Sequence, residues 1–190
     1  MNVHPSLKLD KADIHTLHPM QLFTRYYHSP VGRLEITATA QALCSIHFAD
    51  ARKKPGPGRP QTPESSPPIE QCIGELAAYF SGERQVFSVP YQMQGTAFQQ
   101  KAWQALTTIP YGETITYGQQ ARRLDNPKAA RAVGLCNGSN PLVIVVPCHR
   151  VIGANGSLTG FGGDLWVKQW LLQHERRYAQ PAGPQLHLFA

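Results

Sequence analysis

The segment VIVVPCHRV, residues 143–151, places a cysteine beside a histidine and an arginine at the end of a run of valines and isoleucines. A thiolate is a strong, soft nucleophile, but a free thiol is only a few per cent ionised at neutral pH and needs a neighbouring base. His149 can supply that base. Two interpretations compete: Cys148 is a small apolar residue that ends a buried strand, or it is a thiol prepared for covalent chemistry.

The other cysteines indicate neither a metal site nor a disulfide framework. Cys44, Cys72 and Cys136 form no CxxC pair with one another or with Cys148, and histidines do not recur near them at a regular spacing. We therefore expect reduced thiols, no bound metal and no cofactor.

Positive charge is concentrated in the second half of the chain. Residues 96–190 carry nine Lys and Arg against four Asp and Glu, which is +5 of the total formal charge of +6. This asymmetry suits a polyanionic partner, although a solvated basic face without a partner has the same composition. No window reaches the roughly 18 apolar residues of a membrane span, and residues 1–15 hold no apolar signal segment. We expect a cytoplasmic protein that does not bind membranes.

The first half of the chain predicts a small α/β domain. Residues 21–49 are rich in Tyr, Phe, Ile and Thr and are interrupted by turn signals, which favours short antiparallel strands. Residues 51–68 contain six prolines and no hydrophobic anchor, so we interpret them as a mobile surface loop. Apolar residues at helical spacing from Ile69 to Phe80 then predict one amphipathic helix.

The second half predicts a mainly helical domain, so that the whole chain is α+β. TAFQ at residues 96–99 is a capping-box pattern that begins a helix. Two short helices, at residues 114–124 and 128–136, flank the break DNP and resemble a helix-turn-helix of the winged-helix type. The expected limits are 1–88 for the N-terminal domain, 89–95 for a linker, 96–178 for the helical domain and 179–190 for a C-terminal tail.

The second of these short helices carries one long cation among small side chains. Ala129, Ala130 and Gly134 are among the small residues around Arg131. A slim helix can enter a DNA groove deeply, and a guanidinium can stack and donate hydrogen bonds in the space left by an extruded base. The alternative is tight helix packing with Arg131 on the surface.

Five segments together resemble the O6-alkylguanine-DNA alkyltransferases over residues 96–175. In chain order they are NPKAARAVG, SNP, IVVPCHRVIG, TGFGG and VKQWLLQHE. PCHRV matches the reactive-cysteine motif of that family, and the other segments follow in the family's order. The resemblance implies DNA repair in which an alkyl group moves from O6 of guanine, and less readily from O4 of thymine, onto the protein's own cysteine. The partner it implies is double-stranded DNA containing alkylated guanine.

The resemblance also implies roles for four residues at the reacting centre. Cys148 matches the alkyl acceptor, and His149 matches the histidine that takes the thiol proton through a water. Glu175 matches the carboxylate that orients this histidine. Asn140 matches the asparagine that links the recognition helix to the active-site turn.

Further residues are implied to contact DNA or the extruded base. Arg131 matches the arginine that replaces the flipped base in the stack, and Tyr117 matches the tyrosine that crowds the phosphate beside the lesion. Where the family usually has a tyrosine hydroxyl beside the leaving guanine, this chain has Phe161. The DNA-contacting set is Tyr117, Ala129, Ala130, Arg131 and Gly134, and the pocket set is Tyr117, Val151, Gly160, Phe161 and Gly162.

Alkyl transfer to a thiol predicts an enzyme that acts once, because a thioether has no carbonyl for water to attack. Three other functions were weighed against it. A non-enzymatic lesion sensor would lack the cysteine, and a helix-turn-helix transcription factor would need base-reading side chains where the alanines stand. A cysteine hydrolase would need an acyl substrate. A repair role places the protein with the nucleoid if its host is a prokaryote, and cooperative self-association on DNA is left open.

Overall fold

Three antiparallel strands begin the N-terminal half in the computed structural model, which describes residues 21–50 and 59–179. They are β1 (Phe23–Ser29), β2 (Gly32–Ala38) and β3 (Leu43–Phe48), in the order β1-β2-β3. Gly32, with φ of 103°, closes the hairpin between β1 and β2. The predicted antiparallel sheet is confirmed. The predictions for residues 1–20, for 51–58 of the mobile loop and for 180–190 of the tail lie outside the described residues.

Helix α1 (Pro67–Phe80) covers one face of this sheet and begins earlier than predicted. Its first two residues are the last two prolines of the predicted mobile loop. Proline fits there because the amides of a first helical turn have no partner within the helix. Residues 59–66 are also anchored: the Arg59 amide donates to Glu35 Oε2 (3.1 Å), and the Thr24 amide donates to Thr62 Oγ1 (3.1 Å). The predicted loop is therefore too long at its C-terminal end.

The helical half begins with α2 (Ala97–Leu106), which has the predicted capping box of Thr96 and Gln99. A two-residue strand, β4 (Ile115–Thr116), leads into α3 (Tyr117–Arg123). After a tight turn and a 3-10 segment, α4 (Ala130–Gly138) completes the helix-turn-helix. The first of the two predicted helices was expected from residue 114, but α3 begins three residues later. Thr116 caps it through a second capping box, which the sequence analysis did not predict.

The run VIVV is a series of buried turns rather than the end of a strand, so that interpretation was wrong. The Val146 amide donates to the Leu142 carbonyl (2.8 Å), and Ile144 has a positive φ of 73°. The Asn140 side chain holds this turn closed: its Nδ2 donates to Val146 O (2.7 Å) and its Oδ1 accepts from the Leu142 amide (3.0 Å). Apolar side chains alone do not reveal that bend, because they suit any buried backbone.

Two last elements join the halves of the molecule. Strand β5 (Val151–Ile152) pairs in parallel with β4, and α5 (Leu165–Tyr178) packs back toward α1. His174 of α5 lies against the ring of Tyr79, with 5.2 Å between the ring centroids, and its Nε2 is 2.8 Å from the Tyr79 carbonyl. A single apolar core therefore runs through both halves. In the part of the chain that the structure describes, no helix is long and apolar enough to cross a membrane.

Candidate active site and DNA interface

Cys148 is the first residue of a 3-10 turn, Cys148–Arg150, that follows the buried bend, and it is fully buried. Its amide donates to the Val146 carbonyl (2.9 Å), so the turn that Asn140 closes also sets the position of the thiol. Burial raises the pKa of the Cys148 thiol, while the Asn140 amide and the positive charge of Lys168 act to lower it. The resting thiol is therefore protonated near neutral pH and needs a base.

His149 is the base nearest in sequence, and the structure orients it through Glu175 of α5. The distance from His149 Nε2 to Glu175 Oε1 is 2.7 Å, and both side chains are fully buried. Burial lowers the pKa of His149 in spite of the carboxylate, so the ring is neutral at pH 7. An ionised Glu175 then requires the proton on Nε2. Nδ1 carries the lone pair, and it has no hydrogen-bond partner within residues 21–50 and 59–179.

Besides His149, three other residues donate hydrogen bonds to the Glu175 carboxylate. Arg150 donates to both carboxylate oxygens, from Nε to Oε2 (2.8 Å) and from Nη2 to Oε1 (3.0 Å). The Tyr79 hydroxyl donates to Oε1 (2.9 Å), and the Gly112 amide donates to Oε2 (3.1 Å). Burial alone would raise the pKa of Glu175, but His149 and Arg150 outweigh it and hold that pKa far below its usual range. The carboxylate is therefore ionised and its orientation is fixed.

Lys168, within the VKQWLLQHE segment, is a part of the site to which the sequence analysis gave no role. Its side chain is fully buried, and Nζ donates to the carbonyls of Val151 (2.6 Å) and Thr159 (2.6 Å) and to the Tyr117 hydroxyl (3.3 Å). Burial lowers the pKa of Lys168 to about 8. The lysine thus ties α5, β5, the 158–163 loop and α3 together around the thiol. Its helical spacing from Leu171 and Leu172 was the signal for burial that could have been used.

A cleft of about 510 Å³ opens between α4 and the loop that precedes α5. Its lining includes Gly134 of the predicted DNA-contacting set and Gly160 and Phe161 of the predicted pocket set. Gly160 has a φ of 60°, and a Cβ there would lie 2.4 Å from the Tyr117 hydroxyl, so only glycine fits. The side chain of Phe161 is buried and packs on Phe48, with 5.7 Å between the ring centroids.

The remaining residues of the predicted pocket lie outside the lining of this cleft. Tyr117 is half-buried at the start of α3, and its hydroxyl donates to the Thr159 carbonyl. Val151 is fully buried in β5. Gly162 lies close to α4, because a Cβ there would be 2.9 Å from the Gly138 carbonyl.

Helix α4 presents the side chain of Arg131 to solvent. Arg131 is exposed, whereas Ala129 and Ala130 are half-buried at the N-terminal end of the helix. A Cβ at Gly134 would lie 3.7 Å from the Tyr117 ring, an ordinary van der Waals distance, so α4 passes close to Tyr117 at this position. The structure thus gathers Cys148, His149, Asn140 and Glu175 into one buried cluster and leaves Arg131 outside it.

The site shows no arrangement typical of a metal centre. Within the described ranges, no three His, Cys, Asp or Glu side chains are grouped so as to hold an ion, and Cys44, Cys72, Cys136 and Cys148 are free thiols.

Comparisons with known proteins agree over both halves of the chain. The ribonuclease-like domain of 6-O-methylguanine DNA methyltransferase matches residues 22–93, and the DNA binding domain of the same family matches residues 97–177. The methylated-DNA–protein-cysteine methyltransferases of Haemophilus influenzae and Mycolicibacterium paratuberculosis are 46% and 45% identical to this chain. Each match covers 82% of this chain, and 87% and 93% of the respective relative.

Solved structures give the same result. Mycobacterium tuberculosis O6-methylguanine methyltransferase has a TM-score of 0.77 at 41% identity, over 85% of this chain and 96% of that one. Mycobacterium tuberculosis OGT in complex with DNA has a TM-score of 0.72 at 42% identity, over 84% of this chain and 96% of that one. The resemblance seen in the PCHRV segment is confirmed, and the chain belongs to the O6-methylguanine DNA methyltransferase family.

Proposed function

We propose that this protein repairs alkylated DNA by moving the alkyl group of O6-alkylguanine onto Cys148, once per molecule. Its family is that of the methylated-DNA–protein-cysteine methyltransferases, and a relative has been solved in complex with DNA. The observation that carries the assignment to Cys148 is the geometry of its neighbour. A neutral, buried His149 has one nitrogen held by an ionised carboxylate and the other free of protein partners among the described residues.

The chemical step uses these groups in sequence. His149 Nδ1 accepts the thiol proton through a bridging water, and Glu175 stabilises the imidazolium that forms. Sulfur then attacks the alkyl carbon, the bond from that carbon to O6 breaks, and its electron pair stays on guanine. Guanine takes up one proton as it leaves, which balances the proton lost by the thiol. The resulting thioether cannot be hydrolysed by this site, so the reaction stops at one equivalent.

The base must leave the duplex to reach a fully buried thiol. Arg131, which is exposed on α4, would fill the space that the extruded base leaves in the stack. Tyr117, Ala129, Ala130 and Gly134 would contact the surrounding strand. Because its substrate is chromosomal DNA, we place the protein in the cytoplasm, with the nucleoid if the host is a prokaryote.

Intact-protein mass spectrometry tests the assignment directly. The protein is mixed with excess duplex containing O6-methylguanine, and Cys148→Ser is treated in parallel. We expect a gain of one methylene mass that stops at one equivalent and is absent in the variant. Cys136→Ser is a matched control, because Cys136 is also a buried free thiol, and it should gain the same mass as the wild type. Binding of the lesion without any mass gain would instead identify a lesion sensor.

A further inference from the structure

Leu135 is an exposed aliphatic residue on the recognition helix, where solvent exposure of leucine is unfavourable. The residue is 73% exposed, which is among the highest values of the large apolar residues in the part of the chain that the structure describes. It follows Arg131 by four positions in α4, so the two side chains lie one turn apart on the same face of the helix. The face that presents the cation to DNA therefore also presents a leucine.

The cleft beside α4 gives this leucine a partner across the opening. Leu135 lies in the wall of the cleft that α4 forms. Leu158, in the loop that precedes α5, and Leu165, in the first turn of α5, lie in the opposite wall. Leu165 is itself 48% exposed. Gly160 and Phe161 lie in the same cleft. The mouth of the cleft is thus apolar on both sides.

The surroundings indicate what occupies this mouth. Lys128 precedes α4 and Arg131 lies on it, and both are exposed cations; Arg122 and Arg123 at the end of α3 are exposed as well. Such cations attract the phosphates of a DNA strand, whereas aliphatic walls do not suit a phosphate. Between two phosphates a nucleotide offers the carbon face of its deoxyribose and the flat face of its base. Both can pack against leucine side chains.

We propose that Leu135, with Leu165 opposite, forms an apolar mouth that packs on the deoxyribose of the extruded nucleotide and its 3′ or 5′ neighbour. The inference rests on the proposed function and names a specificity-determining residue for it. In this arrangement Leu135 contacts the sugar of the nucleotide and not only its base. Leu135 should therefore matter equally for a lesion in paired or single-stranded DNA, whereas Arg131 should matter most where a base stack exists to be filled.

Three substrates with the same alkyl group separate these roles: a duplex containing O6-benzylguanine, the same strand alone, and the free base O6-benzylguanine. Transfer rates are measured by intact mass for the wild type, Leu135→Ala, Arg131→Ala and Val86→Ala. Val86 is a matched control, because it is 75% exposed and lines a different cavity. The quantity compared is each DNA rate divided by the free-base rate, so that a general loss of folded protein cancels.

For Leu135→Ala we expect both ratios, duplex and single strand, to fall by about threefold to thirtyfold, as partial loss of one buried leucine would give. For Arg131→Ala the duplex ratio should fall much further than the single-strand ratio, and for Val86→Ala neither should change. If the two ratios for Leu135→Ala equal those for Val86→Ala, the proposed contact between the apolar mouth and the nucleotide is wrong. A fall confined to the duplex would contradict that contact as well. If the wild type transferred no alkyl group from any substrate, the proposed function itself would fail, which is a distinct result.

Discussion

At the scale of single residues, burial makes the proposed nucleophile, Cys148, less acidic, and the neighbouring histidine compensates for this. Burial raises the pKa of Cys148, and the same burial lowers the pKa of His149. The base is thus kept in its accepting form beside a thiol that still holds its proton. Glu175 fixes the tautomer, because its ionised oxygen accepts from Nε2 and leaves Nδ1 for the thiol. A short local turn holds both proposed reacting groups, Cys148 and His149, and a distant helix provides the carboxylate that orients the histidine.

The pH dependence of alkyl transfer should follow the lowered pKa of His149. A base with a depressed pKa stays neutral, and therefore active, as the pH falls through 6.5, the ordinary value for histidine. We expect the rate with free O6-benzylguanine to stay level from pH 7.5 to 6.5 and to fall only at lower pH. The free energy of unfolding should also decline below pH 6.5, since the unfolded chain then binds a proton that the folded one does not. An acid midpoint above 6.5 would contradict a neutral His149.

Phe161 should limit the rate of transfer, because it has no hydroxyl to donate to the departing guanine. Phe161 is one of the residues that line the cleft beside α4. We expect Phe161→Tyr to raise the rate on O6-methylguanine duplex by about tenfold to a hundredfold, the value of one hydrogen bond made in the transition state. Phe161→Leu serves as the control for packing on Phe48. An unchanged rate in the tyrosine variant would show that another donor protonates guanine.

At the scale of elements, buried side-chain amides hold the helix-turn-helix together. The Gln120 side chain of α3 and the Asn137 side chain of α4 donate to each other's oxygens, at 3.2 and 2.7 Å, and both are fully buried. A second bond from Gln120 to the Ala102 carbonyl (3.0 Å) ties the pair to α2. These bonds fix the angle of α4, which carries Arg131, relative to the domain core.

Removing the exposed cation of α4 should separate base extrusion from alkyl transfer. Arg131→Ala leaves the buried cluster around Cys148 untouched, because Arg131 lies on the exposed face of the helix. We expect repair of O6-methylguanine in a duplex to slow by roughly 10-fold or more, the cost of an unfilled gap in the stack. Reaction with free O6-benzylguanine should slow far less. Equal losses on the two substrates would refute the base-replacing role of Arg131, and Lys128→Ala would report the loss of charge alone.

At the scale of the whole molecule, the N-terminal half takes part in the active site. Tyr79 of α1 and Glu175 of α5 are 96 residues apart in sequence, yet the tyrosine hydroxyl donates to the carboxylate (2.9 Å). Burial raises the pKa of Tyr79 well above its ordinary value, so the hydroxyl remains a donor. The ring also packs against Phe80, Phe87 and His174. The first domain therefore supports the carboxylate that orients the base.

Loss of the Tyr79 hydroxyl should affect stability and rate together. We expect Tyr79→Phe to lower the free energy of unfolding by about 1–3 kcal/mol, because a buried carboxylate oxygen loses a donor. Alkyl transfer should slow severalfold as the His149 ring becomes less constrained. Tyr111→Phe is a close control: its ring is 6.0 Å from that of Tyr79, and its buried hydroxyl has no hydrogen-bond partner among the described residues. The free energy of unfolding of both variants is measured by denaturant titration. An equal loss in the two variants, or no loss in either, would contradict the assigned hydrogen bond.

The sequence by itself determined the chemistry and the local elements. A thiol beside an imidazole in PCHRV, the capping box at Thr96 and the slim helix around Arg131 are all patterns between near neighbours. Local hydrogen bonds and helical periodicity depend on such neighbours, and they appear in the structure where the sequence placed them or within a few residues.

Only the tertiary structure decided which groups complete the site. Arg150, Tyr79 and Gly112 reach Glu175 across 25, 96 and 63 residues, and the VIVV run bends where its composition allowed a strand. Lys168 became a buried cation because four elements converge on it. Contacts of this kind depend on how separate elements pack, and a hydrophobic or charged side chain carries no local sign of the partner that packing will bring to it.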